Sequence, residues 1–140
     1  DESLLINQDG EYFTRAIVAS AGVIFEPQSR VYYRSELHGS VSQFKPHKAP
    51  SLFASIDSFE QTTIQLGDDS ALKTLISNQY MGFIYRVYPL VPELRKKARA
   101  KIKHYGKPTR RNDVAESKVA RFLCFVFGWK ILVRLRKLIQ

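Results

Sequence analysis

The sequence predicts an α+β chain that is mainly helical. Three observations carry that reading. Residues 9–21 repeat apolar side chains at the spacing of one helix face, two short β-branched or aromatic runs follow at Val23-Ile24-Phe25 and Val31-Tyr32-Tyr33, and from Ser51 onward the apolar patterns have helical spacing. The expected organisation is a helix plus short β-hairpin in residues 1–50, a helical extension in 51–108 and a basic amphipathic helix in 109–140.

In the first segment, Leu4-Leu5-Ile6 is a run suited to burial. Phe13, Ala16, Ile17 and Ala21 then share one helix face, with Ser20 as its polar exception, and Gly22 follows as a helix-ending residue. Asp9 and Glu11 lie in the first turn, where the helix dipole favours a carboxylate. A carboxylate so placed is able to take the proton of a hydroxyl that is becoming a nucleophile. Capping accounts for Asp9 as well, and from the residues alone it is the more economical reading, because Asp is a preferred N-cap residue. The dipole by itself accounts for Glu11. Pro27 separates the two strand-like runs, and Tyr32 and Tyr33 should point to opposite faces of the second. Arg34 ends that strand; its planar fork suits phosphate oxygens, and an ion pair with Glu11 or Glu36 is the competing reading. Residues 35–50, punctuated by Gly39, Pro46 and Pro50, read as a loop, and His38 within it reads as a solvated histidine.

Ser51 is the expected cap of a helix running to Leu66, with Leu52, Ile56, Phe59 and Thr63 on one face and Gly67 as its stop. Asp68-Asp69 reads as a turn and cap, and Ser70 as the cap of a helix whose stripe is Leu72, Leu75, Ile76, Tyr80, Phe83, Ile84 and Val87. That stripe is core. Pro89 and Pro92 end this helix and start another over 93–105, which is basic, with a thin apolar stripe of Leu94, Ala98 and Ile102 or Tyr105 and a solvated outer face. Residues 106–112 are a linker. From Asp113 the chain is helical again. Residues 122–129 are apolar all round but fall far short of the roughly 20 residues a helix needs to span a bilayer. Beyond them Ile131, Leu132, Leu135, Leu138 and Ile139 share one face, and Lys130, Arg134 and Lys137 another. This pattern suits residues 117–140 to an anionic membrane surface, or to docking on another part of the protein.

Composition narrows the function classes. The chain has 140 residues, 44% hydrophobic and 12% aromatic, enough for a packed core and too apolar for disorder. A single cysteine, Cys124, excludes an internal disulfide and sits in an apolar run. The three histidines, His38, His47 and His104, have no metal-ligand spacing with it. The net charge of +9 hides an asymmetry: residues 1–70 hold 10 acids and 5 bases, residues 71–140 hold 3 acids and 17 bases. A strongly basic half predicts an anionic partner. Nucleic acid is the less favoured one, because the aromatics occupy strand and core positions instead of interleaving with Lys and Arg. No nucleotide-binding glycine loop, nucleophile elbow or internal repeat is present.

Three segments in order, Gln8-Asp9-Gly10-Glu11-Tyr12-Phe13-Thr14-Arg15, Val31-Tyr32-Tyr33-Arg34 and His38-Gly39-Ser40-Val41-Ser42, resemble the end of the catalytic domain of family 2 glycosyltransferases, inverting enzymes of the GT-A fold. That family writes an acidic pair opening a helix, a hairpin strand of the V-Y-Y-R kind and a loop ending in G-S-x-S. The resemblance covers about a quarter of the chain. It implies the C-terminal end of a GT-A α/β domain, with Asp9 as the general base that deprotonates the acceptor hydroxyl. Gln8 stands where the family has the first acid of its pair, which removes a second carboxylate from that step. It further implies Glu11, Arg34 and His38 on the substrate side, Arg34 and His38 near the donor diphosphate, and a 35–50 loop that covers bound donor. The partners implied are a nucleotide-sugar and an acceptor glycan or lipid. The Mg²⁺ or Mn²⁺ of the family is held by a strand-borne D-x-D motif in an N-terminal half. No D-x-D occurs here and the chain opens at Asp1, so the expectation is the C-terminal part of a longer enzyme, cytoplasmic and peripheral on the inner face of the membrane. The alternative expectation is a non-catalytic basic helical module that binds anionic membrane or nucleic acid.

Overall fold

A computed structural model describes residues 1–32 and 44–109, together with residues 122, 124, 126, 128–131, 133 and 134. The chain forms two compact units, Asp1–Asp68 and Asp69–Gln140. The division falls almost on the charge boundary: the first unit holds 9 acids and 5 bases, the second 4 acids and 17 bases.

The first unit packs α1 (Gln8–Ala19) against α2 (Ala49–Thr63), which follows a 3₁₀ turn at Pro46–Lys48 and ends in another at Ile64–Leu66. Leu4, Ile6, Leu52, Phe53 and Ile56 are buried in its core. Gly67 terminates the segment with φ 123, a conformation that a side chain opposes. Ser51 does not cap α2, which begins two residues earlier. Ser51, Ser55 and Ser58, spaced i, i+4 and i+7, instead make one polar row along α2. The Ser51 hydroxyl accepts from the Leu5 N–H (2.6 Å), the Ser55 hydroxyl from the Asn7 amide (3.2 Å), and the Ser58 hydroxyl donates to Glu11 Oε1 (2.9 Å).

Two further expectations fail here. The first is the α+β fold class. No strand is present among the described residues, so the end of a GT-A α/β domain with its β-hairpin is not supported. The turn between the two runs does form: Ser29 N–H donates to Glu26 O (3.2 Å), and Gln28 N–H to Glu26 Oε1 (2.9 Å). The runs themselves do not pair. Val23, Ile24 and Phe25 are 73–94% exposed, as are Val31 and Tyr32. An isolated two-stranded hairpin with no third strand or helix over its apolar face is marginal in water. Tyr33 lies outside the described residues. The second failure is the inward face of α1. Phe13 is 59% and Ile17 54% exposed, with Ala16 also outside, whereas Glu11 is buried and Thr14 and Val18 are half-buried. The polar serine row of α2 selects the polar side of α1, and the apolar stripe is left facing out.

In the second unit, α3 (Ser70–Val87) and α4 (Pro92–Tyr105) form an antiparallel pair. Asp69 caps α3, accepting the Ala71 N–H through Oδ1, and Ser70, the expected cap, is the first helical residue. Ile76, Tyr80, Phe83, Ile84 and Val87 are buried, whereas Leu72 is half-buried and Leu75 is exposed, so the first turns of the expected stripe are not core; Ala98 of α4 is wholly inaccessible on the inner face of its helix. Arg95 closes the connecting turn by donating to Pro89 O and Leu90 O (2.7 Å each) while lying 5.0 Å from the Tyr88 ring centroid. The segment after α4 is held to α3: the Ser77 hydroxyl donates to Gly106 O (2.8 Å), and Asn78 Oδ1 accepts the Thr109 N–H (2.9 Å). Trp129 meets Tyr85 and Tyr88 edge to face at 4.8 and 5.0 Å, so the described part of the last segment seats on the end of α3.

Candidate functional site

The candidate site is the first turn of α1. Asn7, not Asp9, is the N-cap residue. It sits in the left-handed region (φ 65), and its side chain turns to Ser55 instead of capping. Gly10 makes room for it, because a Cβ there would stand 2.6 Å from Asn7 Oδ1. Asp9 is the second helical residue and is exposed. Its Oδ1 accepts the Gly10 N–H (2.9 Å), one of the donors that a helix start leaves without a partner. Its Oδ2 has no hydrogen-bond or ion-pair partner among the described residues.

Glu11 is two residues on. At 100° per residue the two carboxylates point to opposite sides of the helix. Glu11 enters the α1–α2 seam with its side chain 3% exposed. Arg15 holds it with two bonds, Nε to Oε1 (2.6 Å) and an η-nitrogen to Oε2 (3.2 Å); Ser58 donates to Oε1, and the main-chain nitrogen of Asp1 lies 3.3 Å from Oε2. The Arg15 bonds bring the Glu11 pKa down from 4.5 to about 2, against burial, with Ser58 adding to the effect. The same pair raises the Arg15 pKa. Both Glu11 oxygens are thus committed to the fold. The seam fixes the helix, and the helix carries Asp9 on its free side.

Of the four residues singled out from the sequence, the structure separates Asp9 from Glu11, while Arg34 and His38 lie outside the described residues. Arg15 and Ser58 carry structural roles that the sequence reading did not assign. The i, i+4 spacing from Glu11 to Arg15 was the available signal for the first. No local signal exists for the second, which is 47 residues away. Among the described residues no group of three or more His, Cys, Asp or Glu is placed to hold a metal ion. No helix among the described residues is long and apolar enough to cross a membrane. No family model, curated protein or solved structure matches the chain.

Proposed function

We propose that this chain supplies the acceptor side of a sugar-transferring enzyme and that Asp9 is its general base. The observation that carries the reading is the Asp9 carboxylate: exposed, one oxygen uncommitted, on the free side of a helix anchored through Glu11. The order of the three motif segments supports it. So does the bare apolar stripe of Phe13, Ala16 and Ile17, which is the surface against which a donor-binding part of the enzyme packs. In the reaction Asp9 takes the proton of the acceptor hydroxyl, the acceptor oxygen bonds to the anomeric carbon, and the carbon–oxygen bond to the nucleoside diphosphate breaks with inversion, the electron pair leaving with the diphosphate. The full gene product should bind nucleoside diphosphate and transfer sugar. The chain alone should show no saturable site tighter than roughly 100 μM in calorimetry. A full gene product that neither binds nor transfers overturns the reading.

A specific observation favours a second, compatible property: contact of residues 117–140 with an anionic membrane surface. Phe122, Val126 and Ile131 are exposed, as are Lys130 and Arg134. Exposed apolar side chains with cations in one segment are the composition of an interfacial helix. On this reading the enzyme works from the cytoplasm at the inner face of the membrane, on an acceptor held there.

A further inference from the structure

The second unit carries a cationic surface besides the tail. On α4, Lys96, Arg99 and Lys103 recur at i, i+3 and i+7 on the side opposite Ala98, with Lys97 flanking them, and all four are exposed. None has a carboxylate within ion-pairing distance among the described residues. The inner side of the same helix carries Leu94, Ala98, Ile102 and Tyr105, the residues of its thin apolar stripe. The fold therefore spends the apolar side on α3 and leaves the cations in solvent, where their mutual repulsion opposes folding. The tail adjoins this helix: Arg134 lies 5.8 Å from the Tyr88 ring centroid, and Arg95 of α4 lies 5.0 Å from the same ring.

We propose that the outer face of α4 is the headgroup-binding surface of this protein, docking on the phosphates of an anionic bilayer while the tail supplies apolar insertion. The inference rests on the membrane reading of residues 117–140 and assigns the electrostatic part of that binding to a different helix. Charge complementarity selects an anionic partner. The exposed Phe122, Val126 and Ile131 of the same unit favour a lipid surface, where apolar side chains insert below the headgroups.

The test is vesicle co-sedimentation of the full chain, using phosphatidylcholine alone and phosphatidylcholine with about one third phosphatidylglycerol, across a salt series. Each cation near an anionic leaflet contributes roughly fivefold to partitioning, about 1 kcal/mol. The triple variant Lys96→Gln/Arg99→Gln/Lys103→Gln should bind anionic vesicles at least about tenfold more weakly at low salt and converge with the unaltered protein near 1 M salt, where the Debye length is ~3 Å. Lys96→Arg/Lys103→Arg should bind as the unaltered protein does. Arg30→Gln/Lys45→Gln, which removes two exposed cations from the first unit, should change little. All three positions on α4 are exposed, so circular dichroism should be unchanged. If the unaltered chain ignores anionic vesicles, the membrane reading and this inference both fall. If it binds and the triple variant binds equally well, only the role of α4 falls. A loss in Arg30→Gln/Lys45→Gln equal per charge assigns the effect to net charge and overturns the inference, as does binding of an oligonucleotide with a steep salt slope in place of vesicles.

Discussion

Replacing Glu11 with Gln keeps the shape of the buried side chain and removes the charge that Arg15 pairs with. The folded-state pKa of Glu11 is about 2 against an ordinary 4.5. At about 1.36 kcal/mol per pH unit the difference sets a ceiling of roughly 3 kcal/mol. Half of the Arg15 side chain is in water, so screening brings the expected loss for Glu11→Gln at pH 7 down to about 1–2 kcal/mol. The sign follows from linkage. A carboxyl with a depressed folded pKa stabilises the fold above its unfolded value, and the contribution is lost as pH falls through the folded value. The gap between unaltered protein and variant should be full above about pH 5, shrink below it and close near pH 2. The only tryptophan, Trp129, belongs to the other unit, so the readout is hydrogen exchange of the α1 amides, backed by urea unfolding followed by far-ultraviolet circular dichroism. A variant as stable as the unaltered protein at pH 7, or a gap as large at pH 3 as at pH 7, would refute the role of the buried pair.

Other positions test other parts of the fold. Phe13→Ala and Ile17→Ala should each change stability by no more than about 0.5 kcal/mol in urea unfolding, because both side chains are exposed; a loss of 2–5 kcal/mol would restore them to a core. Ala98→Leu should destabilise the α3–α4 pair by roughly 1–3 kcal/mol, seen as a lowered Tm by Trp129 fluorescence, because Ala98 has no free surface. An unchanged Tm would mean that the helices do not meet at Ala98.

Periodicity identified the helix faces better than it oriented them. On α3 the stripe was legible from Ile76 through Tyr80, Phe83 and Ile84 to Val87, where burial follows the apolar face, but not at its start, where Leu72 is half-buried and Leu75 exposed. On α1 the same spacing grouped Phe13, Ala16 and Ile17 on one face, though Ala21 lies beyond the Ser20 C-cap, and which side meets protein depends on the partner, the serine row of α2. The two strand-like runs show the limit of β propensity: Val, Ile, Phe and Tyr fit a pleated, half-buried surface, and among the described residues no such surface covers them. Caps were legible to within a residue or two at α1 and α3, as with Asn7 before Asp9 and Asp69 beside Ser70, but not at α2, where the N-cap is Lys48 and Ser51 lies inside the helix. Asp9 itself was legible as a first-turn carboxylate. Its uncommitted oxygen was not, because that depends on where the Gly10 N–H and the Glu11 seam lie.

The measurement that bears most directly on the proposed chemistry is the sugar-transfer rate of the full gene product carrying Asp9→Asn. Asn retains an oxygen for the Gly10 N–H, so helix and Tm should stay as they are, while the proton acceptor is gone. Loss of a general base should lower kcat by about 10²–10⁴-fold at unchanged Tm. Transfer retained within roughly a factor of three would contradict Asp9 as the base and leave it a residue of the helix start.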